Sequence, residues 1–471
     1  FDVVFLTIFL NCGSICLILS VSIAYKLYYF LEMINKQNIS KIYFLFLLTH
    51  IFIWTVVPTI FNINLPLDTI EALAWGSNMD WGFEKHPPFS AFAVDFFYRI
   101  FGNQDWAYYL LSQIFVVSAF ISVFKLAKEF FKNEYIPFLS ILLLEGIFFY
   151  NYTSPEFNVN ICQLPFWSLV VYYSWKIYNA YEPNLTDCFL LALFAAIGFL
   201  SKYLFLYLIV SITLMFIFLI FFKKIKKFDF KYLIVIEVFI VLLVPHLIWL
   251  FNNDFITITY GLKRSGIEDI NLLNHIKFPL IFLIKQIGII IPFLILIRLL
   301  IKKFKFRFNF KDKKFLFLFF VNFIPLVLIF LTSLITGSKI RTMWMTPFYL
   351  FFGVFMVYLL HSQINLKKLN HFLSGFLIMF FLSPIIYTFV SITQDNKRTD
   401  YLGKDFATKV QLVWAQDFDK EIEFVTGDEW KAGNLSYHLK SRPKWEGYTN
   451  EKILKNSSQF ICVDDVCLGR Y

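Results

Sequence analysis

Residues 65–91 carry two carboxylates whose spacing suits chemistry. Asp68 and Glu71 are three residues apart, so both face one side if the segment is helical, as Pro66 before them favours. Apolar residues flank the pair, which indicates a lipid interface or a cavity, where ionisable groups are costly and often functional. The functional interpretation is a catalytic or binding role, and the alternative is an ordinary solvated loop.

Two further polar groups accompany this pair. Glu84, Lys85 and His86 directly precede Pro87, which with the next proline fixes the local direction of the chain. Glu156 lies in a second short loop, YTSPEFNVN. Both loops fall between apolar segments and alternate with basic loops, so they are expected on the same side of a membrane.

Cations occupy other short loops on that predicted side, which normally carries few of them. They are Lys202, Lys263, Arg264, Lys339 and Arg341. A local anion would explain these cations, and a lipid phosphate is the obvious candidate. For Lys202 the alternative is snorkelling to the interface. Four aromatic residues are either interface-belt residues or sugar-stacking platforms: Trp75, Trp81, Tyr260 and Trp344.

The composition predicts that membrane helices position these residues. Of the 471 residues, 58% are hydrophobic and 16% are charged, and the mean hydropathy is +0.64. A soluble domain usually has about 25% charged residues, so this chain lacks the polar surface of a water-facing globule. The net charge of +10 comes from short basic runs between apolar segments, as in cytoplasmic loops. The expected partners therefore include the lipid bilayer and exclude nucleic acid.

About twenty apolar residues cross a bilayer, and on that basis the sequence predicts an all-α protein with about twelve transmembrane helices. Residues 188–222 are too long for one span and count as two, joined by a tight hairpin at Lys202. The other predicted spans are 3–24, 42–61, 106–127, 135–151, 161–180, 232–251, 276–300, 315–336, 345–361 and 370–391.

Lysine and arginine predict the orientation, since basic loops stay in the cytoplasm. The opposite side then receives Lys202, the loops 62–105, 152–160, 252–275 and 337–344, and the tail. We therefore predict a transmembrane domain at 1–391 and a domain outside the cytoplasm at 392–471. The tail is polar, with short alternating runs that favour a small α+β fold. Cys462 and Cys467 could form a disulfide there, whereas the cysteines in apolar segments are expected to be buried packing residues.

Nucleotide-dependent chemistry finds little support. The sequence has no phosphate-binding glycine loop and no dinucleotide fingerprint. Asp417 and Asp419 formally make a DxD motif, but the surrounding α/β pattern of nucleotide-sugar enzymes is missing. Any sugar or phosphate donor is therefore expected to be membrane-borne.

These motifs, in this order, resemble those of the GT-C membrane glycosyltransferases, in the branch similar to bacterial protein O-mannosyltransferases and the lipid A aminoarabinose transferase. The resemblance extends over nearly the whole chain from about residue 42. It rests on D-x-x-E at 68–71, FEKHPPFSAF at 83–92, TSPE before FW at 153–167, GFLSKY at 198–203, K-x-R-x-x-W at 339–344, and TDYLGKDFA and GDEWKAGNLSYHLKSRP in the tail. The chain departs from its relatives by spacing Asp68 from Glu71, by inserting His86 and by adding a span before residue 42.

The resemblance implies a GT-C fold and transfer of a sugar from a polyprenyl-phosphate donor on the periplasmic face of the bacterial inner membrane. The acceptor would be lipid A or lipopolysaccharide, another envelope glycan or a protein. No cofactor and no protein metal site is expected, although a divalent cation near Asp68, Glu71 and Glu156 is a candidate. The alternative function is a transporter or channel for a lipid-linked or anionic solute, but the charges gather at one face and no internal repeat is evident.

Such a transfer needs a nucleophile activated on one side of the anomeric carbon and phosphate charge stabilised on the other. Asp68 and Glu71 are the predicted catalytic residues, with Asp68 as general base or acceptor-orienting group. The choice of base between Asp68 and Glu156 stays open. The predicted phosphate-binding residues are Lys85, Lys202, Arg264 and Arg341. The predicted substrate-binding set further contains Glu84, His86, Glu156, Tyr260, Lys339 and Trp344.

Overall fold

A computed structural model of the chain describes residues 39–223, 227–266, 271–306, 308–449, 453 and 455–471. The predicted first span at 3–24, with Cys12 and Cys16, lies outside these ranges. The chain divides into two compact units between Thr49 and His50. Of the first unit, residues 39–49 are described, and they are helical. The second unit, His50–Tyr471, contains every predicted site residue.

Helices make up most of the described chain. In order they are α1 Ile39–Phe61, α2 Leu67–Asn78, α3 Phe89–Phe101, α4 Asp105–Phe130, α5 Tyr135–Leu142, α6 Val159–Cys162, α7 Leu164–Asn179, α8 Leu185–Ser201, α9 Leu206–Ile217, α10 Lys231–Asn252, α11 Ile256–Arg264, α12 Asn274–Leu300, α13 Lys313–Thr336, α14 Phe352–Leu360, α15 Leu369–Thr393, α16 Gly403–Asp417 and α17 Lys431–His438. Short segments of 3-10 or π-helix extend or link several of them, the longest being the 3-10 helix Thr342–Tyr349.

Within the described residues, seven helical segments are long and apolar enough to cross a membrane, or eight if one bent pair counts as a span. The bent pair, Thr342–Tyr349 and Phe352–Gln363, turns by 52° at its break. Three more predicted spans, 135–151, 161–180 and the first half of 188–222, are short helices. The predicted twelve segments are thus found as long, short or bent helices, apart from 3–24, which is not described. The chain is a multi-pass α-helical membrane protein.

The predicted break at Lys202 is present. Helix α8 ends at Ser201, Lys202 is extended (φ −164°, ψ 133°), and the next helical turn begins at Tyr203. Gly198 permits this geometry because the Phe205 ring lies directly against it, where a Cβ would come within 2.2 Å of the ring. The interruption leaves Lys202 at the junction of two helices, as the length of the apolar stretch indicates.

The tail forms the small α+β structure that its sequence predicts. Two helices, α16 and α17, accompany a four-stranded sheet of β1 Phe424–Thr426, β2 Lys444–Trp445, β3 Gln459–Val463 and β4 Val466–Arg470. The strand order is β2-β1-β4-β3, with β1 and β2 parallel and the other pairs antiparallel. Cys462 and Cys467 lie opposite each other in the β3–β4 hairpin and are disulfide-bonded.

The tail packs onto helix α2, which carries the two candidate catalytic carboxylates. Gly433 of helix α17 lies against the α2 residues Ile70 and Ala74. In addition, the Arg442 guanidinium, beyond the end of α17, donates a 2.6 Å hydrogen bond to the backbone carbonyl of Leu73 in α2. Each such buried hydrogen bond contributes about 1 kcal/mol net, so the position of α2 depends on a segment more than 350 residues away.

Candidate active site

Helix α2 presents Asp68 in its first turn, directly after Pro66. Its N-terminus is tied to the second loop, because the Asp68 backbone N–H donates to Glu156 Oε1 at 3.1 Å. The Thr69 hydroxyl donates to the Phe157 carbonyl at 3.0 Å. The first-turn N–H groups of a helix have no intrahelical partner, so the Glu156 carboxylate satisfies one of them. Two loops 88 residues apart therefore meet at Asp68.

Asp68 and Glu156 form a pair of adjacent acids. Loss of solvation raises the pKa of both, and the negative charge of Asp68 raises the pKa of Glu156 further, to about 8. Four cations oppose this effect on the pKa of Asp68: Lys202, Lys85, Arg264 and Arg341. A carboxylate with a raised pKa is a better proton acceptor near neutral pH, so the pair suits general base catalysis.

Lys202 is the most enclosed cation of the site, with 4% of its surface exposed. Its ammonium donates a hydrogen bond to the Asn160 side-chain carbonyl and lies 5.4 Å from the centre of the Trp344 ring. Burial and the charge of Arg341 together lower the pKa of Lys202 to about 7, although the charge of Asp68 opposes this shift. A buried ammonium without a full counter-ion is poised to bind an anion.

Two arginines, one at the end of helix α11 and one in the 337–344 loop, are brought together by one backbone hydrogen bond. The Lys339 N–H donates to the Ser265 carbonyl at 2.9 Å, which brings residue 264 beside the 339–341 segment. Burial and the charge of Arg264 lower the pKa of Arg341, while Tyr260 and Asp68 oppose that shift. Like charges held this close favour a shared anionic ligand.

A cavity of about 550 Å³ opens beside these cations. It is lined by Glu156, Asn160, Lys339 and Arg341 among others, and by Lys285 from the spanning helix α12. Lys285 is exposed at this wall and was missed by the sequence reasoning. The sequence did contain an indication of its role, because Lys285 lies in the middle of an apolar span, where charged residues are rare and often functional.

Lys85 occupies a different environment from the other cations. Its ammonium lies 2.8 Å from Glu71 Oε1 and 2.6 Å from Glu429 Oε2, and these two carboxylates raise its pKa. Glu429 is 3% exposed and accepts a second hydrogen bond from the Tyr448 hydroxyl at 3.2 Å. Helix α2 thus divides its two acids, with Asp68 beside the cation cluster and Glu71 in this ion-pair triad.

Glu429 is a site residue that the sequence reasoning missed. It lies in the GDEW segment of the tail, and only the docking of the tail onto α2 brings it to Lys85. The tail motif itself was the available signal. The phosphate-binding role of Lys85 stays a prediction, because its ammonium is already held by two carboxylates.

His86 and Glu84 flank this triad. Loss of solvation and the nearby Lys202, Lys85 and Arg264 lower the pKa of His86 to about 3, so its ring is neutral at pH 7. The ring packs edge-on against Trp75, with 5.8 Å between ring centres. Glu84 is half-buried. A neutral His86 can donate or accept a hydrogen bond, and both its assisting and its structural role stay open.

A polar network from helix α10 supports the loop that carries Lys85. The His246 ring bonds to the Trp81 carbonyl through Nδ1 and to the Tyr203 hydroxyl through Nε2, both at 2.6 Å. Trp249 Nε1 donates to Asp80 at 2.7 Å, and its ring covers Gly82 so closely that a Cβ there would clash. His246 therefore links the first loop to the residue after Lys202.

Among the described residues, no three His, Cys, Asp or Glu side chains lie close enough together to bind a metal ion. Glu71 faces Lys85, and Glu156 faces the Asp68 backbone. A divalent cation near Asp68, Glu71 and Glu156, held jointly with a substrate phosphate, stays a prediction.

Comparison with known proteins agrees with this geometry. Residues 85–249 match the dolichyl-phosphate-mannose-protein mannosyltransferase family. The fold is similar to that of ArnT from Cupriavidus metallidurans bound to undecaprenyl phosphate, at 11% identity and a TM-score of 0.60 over 89% of this chain and 88% of that one. The apo state of ArnT from the same organism is 12% identical, with a TM-score of 0.58 over 87% of this chain and 86% of that one. Comparison with curated protein sequences finds no match.

The family match contains the Lys85, Glu156 and Lys202 segments. Over nearly the whole chain, the fold is that of ArnT. The fold class expected from the sequence is thereby confirmed, and the family match agrees with the expected resemblance over residues 85–249. The fold accounts for the meeting of five separate segments at Asp68, while the individual roles of the site residues stay predictions.

Replacing Glu429 with Gln is expected to destabilise the protein by about 1–3 kcal/mol, because a buried ion pair loses one charge while Lys85 stays half-buried. The check is the thermal unfolding midpoint in detergent, which should fall by several degrees. Glu421→Gln, at an exposed carboxylate of the same tail, is the matched control and should leave the midpoint unchanged. Equal midpoints for both variants would contradict a stabilising role of the triad.

Proposed function

We propose that this protein is a GT-C membrane glycosyltransferase that transfers a sugar from a polyprenyl-phosphate donor to an acceptor at the periplasmic face of the bacterial inner membrane. The observation that carries the proposal is the cation cluster around Asp68, in which Lys202, Arg264 and Arg341 are all close enough to lower its pKa. A donor of this kind presents an anionic phosphodiester and a long apolar tail, which suits cations at the edge of membrane helices.

In the proposed reaction the acceptor oxygen attacks the anomeric carbon while the bond from that carbon to the phosphate oxygen breaks. Asp68 accepts the proton of an acceptor hydroxyl, and the departing polyprenyl phosphate gains negative charge. Lys202, Arg264 and Arg341 stabilise that charge, and Lys202 does so from a buried position, where electrostatic stabilisation is strongest. Glu156 holds the backbone at Asp68 and, when protonated, can donate a hydrogen bond to sugar or acceptor.

The comparisons support the donor class. The matched family is named for dolichyl-phosphate-mannose, and one ArnT structure holds undecaprenyl phosphate. Both ligands are lipid phosphates. The acceptor proposed here is a glycolipid of the envelope, such as lipid A, or a protein, as in the name of the matched family.

The orientation rests on charge and on redox chemistry. The basic loops lie on the side of the membrane opposite the candidate active site, and basic loops usually face the cytoplasm. The Cys462–Cys467 disulfide is of a kind that persists in oxidising compartments such as the periplasm, and it belongs to the tail that packs on the site. We propose that 392–471 forms the periplasmic domain.

The test uses the full chain in proteoliposomes with a series of polyprenyl-phosphate-linked hexoses and pentoses. Mass spectrometry should detect free polyprenyl phosphate together with a glycosylated acceptor from an envelope extract. Deletion of the gene should remove one glycoconjugate from the envelope. A parallel reaction with chelator tests the expected independence from a divalent cation. Uptake of the lipid-linked sugar without its cleavage would favour a transporter and overturn the proposal.

A further inference from the structure

The segment between helices α12 and α13 alternates phenylalanine with basic or polar residues. Phe304, Phe306, Phe308 and Phe310 are 44%, 46%, 61% and 50% exposed. The rings of Phe304 and Phe306 are 6.1 Å apart, and those of Phe306 and Phe308 are 6.2 Å apart. Rings two residues apart meet only on one side of an extended chain, so Lys303 and Lys305 project to the other side.

This extended chain is fixed to its surroundings. The Lys305 N–H donates to the Gln363 side-chain carbonyl at 2.8 Å, and the Gln363 amide donates back to the Lys305 carbonyl. The Lys302 N–H donates to the Gln363 backbone carbonyl at 3.3 Å. These three bonds hold residues 302–305 of the segment in place.

The position of the segment identifies the surface that it meets. It joins the end of α12 at Leu300 to the start of α13 at Lys313, and both helices are long enough to span a membrane. Helix α13 has 24 residues, about 36 Å at the usual rise, so the segment lies at the membrane boundary opposite Arg341. An exposed Phe row at this depth adjoins the boundary between headgroups and acyl chains.

The charge of the segment complements an anionic surface. Its described basic residues are Lys302, Lys303, Lys305 and Lys311, all exposed. The acidic residue of the segment is Asp312, whose carboxylate accepts a hydrogen bond from the Tyr358 hydroxyl at 2.5 Å. Lysines near anionic lipid headgroups each strengthen binding about fivefold.

We propose that this Phe–Lys segment, defined by the four phenylalanines and four lysines named above, is a binding surface for anionic phospholipid in the leaflet opposite the active site. The phenylalanine rings enter the headgroup–acyl boundary, and the lysines bind the headgroup phosphates. The surface is separate from the donor site and independent of the proposed function.

Fluorophore labelling tests the proposal on the full chain in membranes of phosphatidylcholine mixed with phosphatidylglycerol. An environment-sensitive dye is attached at Phe306→Cys or, as the matched control on the opposite side, at Lys303→Cys. Labelling of the parent chain gives the background. Quenching by acyl-chain nitroxide lipids should be several-fold stronger at 306 than at 303. Equal quenching at the two positions, or none at 306, would overturn the insertion of the Phe row.

The choice of lipid is tested with the nitroxide on phosphatidylglycerol or on phosphatidylcholine in the same membrane. Quenching at 306 should favour the phosphatidylglycerol quencher, and the preference should disappear when Lys302, Lys303, Lys305 and Lys311 are replaced by Gln. Retained sugar transfer by this variant shows that it is folded. A preference that survives the four replacements, or equal quenching by both lipids in the parent, would overturn the lysine–headgroup interaction.

Discussion

Replacing Asp68 with Asn is expected to lower kcat for sugar transfer by about 10²–10⁴-fold, the usual contribution of a general base. The amide keeps the size of the side chain, and the Asp68 backbone bond to Glu156 remains. It cannot take the acceptor proton, and it leaves Lys202 and the arginines without their central counter-charge. Single-turnover release of polyprenyl phosphate measures the chemical step directly.

The control for this variant is Asp254→Asn. Asp254 is exposed in the loop before helix α11 and has a left-handed backbone (φ 50°), which Asn adopts readily. The rate of sugar transfer by the Asp254→Asn variant should equal that of the parent protein. A full rate for Asp68→Asn combined with a large loss for Glu156→Gln would transfer the role of base to Glu156.

The spacing of residues on one element could be read from the sequence. Asp68 and Glu71 lie in the first two turns of a helix that follows proline, and Lys202 lies at a break that the length of the apolar stretch requires. These are local consequences of helix geometry and bilayer thickness. The cation cluster was also predictable in outline, since loop parity places Lys202, Arg264 and Arg341 on one side.

The pairing of side chains could not be read in the same way. The sequence suggests that Lys85 is free to bind phosphate, but in the fold it lies between Glu71 and Glu429. Glu429 reaches it only because helix α17 packs on α2, a contact between segments about 350 residues apart. Long-range packing of this kind depends on side-chain complementarity, which periodicity does not encode.

This division of α2 has a chemical consequence. The Lys85 ammonium is paired with the Glu71 and Glu429 carboxylates on one side of the helix, whereas Lys202, Arg264 and Arg341 lie on the other side, near Asp68. The donor phosphate is then expected beside Lys202 and the two arginines and not beside Lys85. Among these cations, we expect the loss of Lys202 to reduce donor binding and sugar transfer most.

Replacing Lys202 with Met is therefore expected to lower kcat/KM for the donor by about 10²–10³-fold, the usual effect of removing one charge-stabilising group. Burial lowers the pKa of Lys202 to about 7, so the free enzyme loses this charge as pH rises. Since kcat/KM reports ionisations of the free enzyme, the parent profile should fall about tenfold per unit above that pH. The Lys202→Met profile should lack this decline, because its side chain does not titrate.

The control separates Lys202 from its acidic neighbour. Glu156, with a pKa of about 8, also titrates in this range, and its ionisation adds repulsion against an anionic donor. In Glu156→Gln the decline near pH 7 should remain, since Lys202 is intact, while any further decline near pH 8 should disappear. A decline near pH 7 that persists in Lys202→Met would mean that another group governs donor capture. The phosphate would then have to be placed elsewhere, with Lys85 released from its two carboxylates as the next position to test.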